Sequence, residues 1–108
     1  MEGLWTAEFG SSAGIFGGGV VVFQGGRVMG GDNGYFYVGT YELTDNALRA
    51  SIEVSPFIEG VESVFKTMGR QLTLELVGSL VDERHIRAQG HPRQMPQLKL
   101  GVKLTKRS

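Results

Sequence analysis

Strict alternation of apolar and polar residues recurs along this chain, and it leaves little choice of secondary structure. Leu98, Leu100, Val102 and Leu104 fall on one face of an extended segment, with Lys99 and Lys103 on the other. Leu72, Leu74 and Leu76 alternate with Thr73 and Glu75, and Ala50, Ile52 and Val54 with Arg49, Ser51 and Glu53. Ile86, Ala88 and Gly90 alternate with Arg87, Gln89 and His91, and Trp5, Ala7 and Phe9 oppose Thr6 and Glu8. A period of two puts one face of each segment in a core and the other in water, which is the pattern of an antiparallel sheet.

Turn signals separate these segments. Gln24-Gly25-Gly26 divides Val20-Val21-Val22-Phe23 from Arg27-Val28-Met29. Gly31-Asp32-Asn33-Gly34 is a hairpin signal because Asn and Gly accept positive φ. Thr44-Asp45-Asn46 and Val81-Asp82-Glu83 are further turns, and Pro92 and Pro96 bracket the entry to the last segment. The predicted strands are 3–9, 14–23, 26–31, 34–43, 47–55, 70–78, 84–91 and 97–105. Eight short strands joined by tight turns predict an all-β fold, a small up-and-down antiparallel barrel of lipocalin-like form. A sandwich is the main alternative. At eight strands the interior is filled by side chains or holds one small ligand.

One segment departs from the alternation. Between residues 56 and 69, Ile58, Val61, Phe65 and Met68 recur at spacings of three and four, which predicts a short amphipathic helix or a partly helical loop. Gly60 weakens a helix there, and a ninth strand interrupted by a bulge is the other reading.

The 108 residues suffice for one domain with one core. Seventeen glycines lie within and between the apolar runs, where strands turn sharply or approach each other closely. There is no cysteine, which excludes disulfides, thiolate metal sites and thiol nucleophiles. The first residues show neither a basic stretch nor a long apolar run, so a cytoplasmic location is expected and no membrane association. Eleven bases balance eleven acids, which argues against nucleic acid as a partner. The signs are nevertheless segregated: residues 84–108 carry seven bases and no acid. Arg87, Lys99 and Lys103 are expected to form a basic outer strip that docks an acidic partner or a second subunit; a solvated surface with clustered signs is the plainer account.

No group of residues makes this chain an enzyme, and no cofactor is expected. The run Gly14-Ile15-Phe16-Gly17-Gly18-Gly19 leads into a strand, whereas a phosphate loop must open a helix. His85 and His91 lie about 20 Å apart along one strand, too far to share a metal. Asp32 is placed to hydrogen-bond its own turn, with a partner contact as the alternative. No serine pairs with a histidine and a carboxylate. The aromatic residues carry more information. Tyr35, Tyr37 and Tyr41 share one strand face, and buried phenols need hydrogen-bond partners, which could be one another, backbone, water or a ligand. Together with Trp5 they are the candidate ligand-binding residues. Phe36 and Val38 lie on the opposite face, as an outer apolar patch suited to a dimer interface.

Gly3-x-Trp5, the glycine-rich lead into Val20-Val21-Val22, Gly26-Arg27, Gly30-Gly31-Asp32 and Tyr35-x-Tyr37-x-Gly39-x-Tyr41 resemble the GrlR-like proteins. This bacterial family takes its name from a negative regulator of type III secretion. The resemblance implies a lipocalin-like barrel, a homodimer and a regulatory role through contact with another protein, with Gly30, Gly31 and Asp32 as signature turn residues. The chain departs from the family in the turn after the tyrosine-rich strand, where Thr44-Asp45-Asn46 carries one acid in place of an acidic run. The expected function is therefore a non-catalytic, homodimeric regulator acting by protein contact. The alternative is a carrier of a small apolar ligand inside the barrel.

Overall fold

The computed structural model describes residues 1–12, 14, 16–58 and 71–108. They form eight strands: β1 (Gly3–Ser11), β2 (Phe16–Gln24), β3 (Arg27–Gly31), β4 (Tyr35–Thr44), β5 (Ala47–Pro56), β6 (Leu72–Asp82), β7 (His85–Pro92) and β8 (Leu100–Lys106). Each pairs antiparallel with the next, and β8 returns to pair with β1, so the sheet closes as an up-and-down barrel. Closure leaves no unpaired edge for another chain to extend. It also excludes the sandwich.

Strand faces follow the sequence pattern. Trp5, Val21, Val28, Leu48, Leu76, Ile86 and Leu104 point inward and are buried, and their polar neighbours point out. Most strand ends shift by one or two residues from the sequence reading, and three differences have a structural cause or consequence. β6 continues to Asp82 because a bulge between Leu80 and Asp82 lets pairing with β7 resume at His85. β8 begins at Leu100, so Lys99 is an exposed connecting residue and not a strand residue. Its backbone is held by Ser12, whose hydroxyl accepts from the Lys99 N–H at 2.9 Å and whose own N–H donates to the Lys99 carbonyl at 2.8 Å. Pro56 ends β5 and does not open a helix; the rest of the expected helix or loop, from residue 59, lies outside the described residues.

Turn chemistry explains how adjacent strands connect. Gly25 and Gly26 both take positive φ, 59° and 81°, as a two-residue hairpin matched to sheet twist requires. The β3–β4 turn closes by another route. Neither Asn33 nor Gly34 adopts positive φ. Instead Asp32 Oδ1 accepts from the N–H groups of Gly34 at 3.0 Å and Tyr35 at 2.9 Å, and the Asp32 N–H donates to the Tyr35 carbonyl. A side chain supplies here what left-handed backbone was expected to supply.

The two ends of the barrel differ. At one end Trp5 stands edge-on to Phe23, with ring centroids 6.0 Å apart, and Phe23 edge-on to Tyr41 at 5.0 Å. The Trp5 indole donates to the Met1 carbonyl at 2.9 Å, so this aromatic plug carries no unmet polar atom. Away from the plug the inward positions include Ala7 and Gly17, Ala50 faces inward beside Tyr41, and the interior is not filled.

Candidate functional site

The open half of the barrel contains a cavity of about 200 Å³. Its wall is mostly aliphatic, drawn from β5, β6 and β8 through residues such as Ile52, Leu72, Leu76, Leu100 and Leu104. Ala7 and Ala50 leave space where a larger residue would project. The cavity reaches the surface beside Phe16 and Asn33, both exposed.

A small polar group interrupts this wall. Asp32, in the β3–β4 turn, and Tyr37, on β4, both line the cavity, and the Tyr37 hydroxyl donates to Asp32 Oδ2. The carboxylate is therefore held by three donors: two backbone N–H groups on Oδ1 and one phenol on Oδ2. Gly19 on β2 makes room for the pair. A Cβ there would lie 2.8 Å from the Gly31 carbonyl oxygen and 2.9 Å from the Tyr37 hydroxyl. Gly30 and Gly31 serve the strands beside it. A Cβ on Gly30 would come within 2.1 Å of the Val20 carbonyl oxygen, and one on Gly31 within 2.9 Å of that of Tyr35.

Burial is the largest influence on the Tyr37 phenol and raises its pKa far above the ordinary value; the bond to Asp32 and that carboxylate's charge act in the same direction. The phenol proton thus stays on Tyr37 through the neutral range. The stability consequence has a definite sign. Below about pH 10 the phenol is protonated in both folded and unfolded chains. Above it only the unfolded chain releases the proton, so stability falls as pH rises. Burial, with the charge of Glu2 next, also raises Tyr41. Denaturation midpoints measured from about pH 9 to about pH 12 are expected to decline in the wild type and to decline less in Tyr37→Phe, with Tyr41→Phe as the comparison.

The sequence candidates separate on inspection. Tyr35 and Tyr37 are buried and line the cavity. Tyr41 shares their face but not their height: it packs on Phe23 in the plug, its hydroxyl 3.5 Å from Glu2 Oε2. Trp5 lies in the same plug. Neither is a cavity residue, because position along a strand sets depth in the barrel while alternation sets only the face. Asp32 makes the turn bonds expected of it and, among the described residues, also supplies the cavity's one charged lining side chain. The spacing of Asp32 and Tyr37 across a three-residue turn was the available signal for that pairing. Gly19 and Ala50, which shape the space, gave none.

On the outer surface Arg87 and Lys103 are exposed cross-strand neighbours. Glu8 stands opposite Lys103 on β1, and on β6 Glu75 accepts from Arg93 at 2.5 and 3.0 Å. The basic pair is thus bordered by an acid on β1, while its neighbour on β6 is Ser79. His85 Nδ1 lies 2.8 Å from Asp82 Oδ1, and the Arg84 N–H and His85 hold that carboxyl below its usual range. His91 lies at the other end of β7, its Nδ1 3.1 Å from the Pro92 carbonyl.

No protein-family model matches the sequence, and no curated protein matches it as a relative. Among solved structures the chain is similar to a redesigned β-barrel, with a TM-score of 0.54 at 13% identity over 99% of this chain and 91% of that one. At that identity the likeness concerns the fold alone, and it is the fold that eight alternating segments imply. No helix among the described residues is long and apolar enough to cross a membrane.

Proposed function

We propose that this protein is a non-catalytic carrier of a small, largely apolar molecule held inside the barrel, with Asp32 and Tyr37 as its polar anchor. The observation that carries this reading is the aliphatic cavity of about 200 Å³ with the hydrogen-bonded Asp32–Tyr37 pair in its wall. An apolar cavity of about 150 Å³ stays dry and binds benzene, so this one has room for a ring with a short arm. A polar tip on an apolar wall is the usual composition of a small-molecule site.

The test is native mass spectrometry of the protein purified gently from its own host. The expected result is an added mass of small-molecule size that disappears on denaturation. Ala50→Phe, which projects a ring into the cavity, is expected to remain folded and to lose the added mass. A wild type that carries no ligand and takes up none of a panel of small aromatic compounds would sink the proposal.

A second reading, a homodimer working through protein contact as the GrlR-like resemblance implies, has its own supporting observation. Leu4, Val22, Met29 and Val38 are successive cross-strand partners on the outer face of β1 to β4. Phe36 is 44% exposed and Val38 40%. A continuous apolar row on an outer sheet face is suited to burial against a copy of itself. In sedimentation velocity the wild type is then expected as a dimer and Val38→Lys as a monomer; identical monomeric profiles would dispose of this reading. The two readings use opposite faces of one sheet and are compatible.

A further inference from the structure

We propose that the cavity selects a cationic ligand: an amine, as its ammonium form, on an apolar body of roughly benzene size. This rests on the carrier reading and adds the sign of charge to it. Among the described residues, the side chains lining the cavity include one carboxylate, Asp32, and no lysine, arginine or histidine. Among the described residues, the ion pairs are His85–Asp82 and Arg93–Glu75, and neither involves Asp32. Among those residues, the donors that hold the Asp32 carboxylate are all neutral.

Hydrogen-bond geometry points the same way. Oδ1 is committed to the N–H groups of Gly34 and Tyr35. Oδ2 accepts a hydrogen bond from the Tyr37 hydroxyl, which burial keeps protonated. With its proton turned toward Asp32, the Tyr37 oxygen offers the cavity lone pairs, and Oδ2 retains acceptor capacity of its own. The anchor thus presents acceptors beside a negative charge. A ligand ammonium can donate to both oxygens and gain a charge-assisted bond in a wall of low polarity. An alcohol can donate once without the charge. A carboxylate would bring like charge against Asp32 and find no donor in the pair.

The experiment is isothermal titration calorimetry of the intact chain at neutral pH with three matched compounds: 2-phenylethylamine, 2-phenylethanol and phenylacetate. The amine is expected to bind about tenfold more tightly than the alcohol, the difference between a charge-assisted and a neutral hydrogen bond, and phenylacetate most weakly. Asp32→Asn keeps an acceptor for the turn while removing the charge, and is expected to bring amine and alcohol to similar affinity, with its thermal melt reporting the fold. Equal binding of all three by the wild type, or tightest binding of phenylacetate, overturns the cationic preference and leaves the carrier standing. Failure of all three to bind overturns the preference, and it removes the carrier as well if the protein from its host holds no ligand. The wild-type ranking decides the matter even if Asp32→Asn does not fold.

Discussion

Trp5→Ala is expected to destabilise the fold by about 3–5 kcal/mol, the range for removing a large buried aromatic. Trp5 is fully buried, stands edge-on to Phe23 and donates its indole N–H to the Met1 carbonyl. The substitution therefore removes the packing of the plug, one aromatic contact and the partner of a backbone carbonyl together. Against a total stability of about 5–15 kcal/mol, a loss of that size puts the variant close to unfolding at room temperature. Leu76→Ala provides the contrast. Leu76 is also buried, but one side of it faces the cavity. It has fewer partner atoms to lose, so its cost is expected near the lower end of the range of about 2–5 kcal/mol for leucine. Equilibrium urea denaturation of the three proteins checks the order; a Leu76→Ala loss equal to or above that of Trp5→Ala would show that the two ends of the barrel are equally packed.

Gly39→Val is expected to prevent closure of the barrel. Backbone freedom is not the cause, since Gly39 is not among the residues of positive φ. The cause is lack of space. A Cβ at Gly39 would lie 2.2 Å from the Ser51 carbonyl oxygen and 2.7 Å from the Ile52 Cα. Both are backbone atoms of β5, so no side chain can swing aside. Relief requires β4 and β5 to part within a ladder that runs from Tyr35 opposite Pro56 to Thr44 opposite Ala47. The cost is expected at about 3 kcal/mol or more, the upper end for overpacking. Gly101→Val tests the explanation, because nothing lies within 4 Å of a Cβ added there. Circular dichroism and urea denaturation are expected to show a folded Gly101→Val and a disrupted Gly39→Val. Equal tolerance at both positions would contradict the close approach.

Gly39 is one of several such contacts. A Cβ on Gly78 would approach the Arg87 carbonyl oxygen to 2.5 Å, and one on Gly90 that of Glu75 to 2.0 Å. With Gly30 they mark places where the sheet bends inward tightly enough to close over eight strands. The glycine excess is thus a consequence of closure. Its presence inside apolar runs was visible in the sequence, while the partner strand that each glycine accommodates was not.

Local chemistry carried the secondary structure. Alternation in Leu72–Leu76, Ala50–Val54 and Ile86–Gly90 assigned the inner face of each strand, and Gly25-Gly26 marked a hairpin, because these are properties of neighbours in the chain. The outer exposure of Phe36 and Val38 follows from the same period. Depth along the barrel is a different quantity. Tyr35, Tyr37 and Tyr41 are equivalent to a period of two, yet two line a cavity and the third seals the opposite end with Trp5 and Phe23. Their heights depend on register against strands far away in sequence, as does the pairing of β1 with β8 that closes the sheet. The cavity depends on side-chain volumes contributed by separate strands, where Ala7 lies opposite Leu104 of β8 and Ala50 opposite Leu76 of β6. The strands, their inner faces and most of their turns are thus local properties of the chain. That the interior is hollow and that Asp32 and Tyr37 meet within it are properties of the closed barrel, because volume and height are set where distant strands converge.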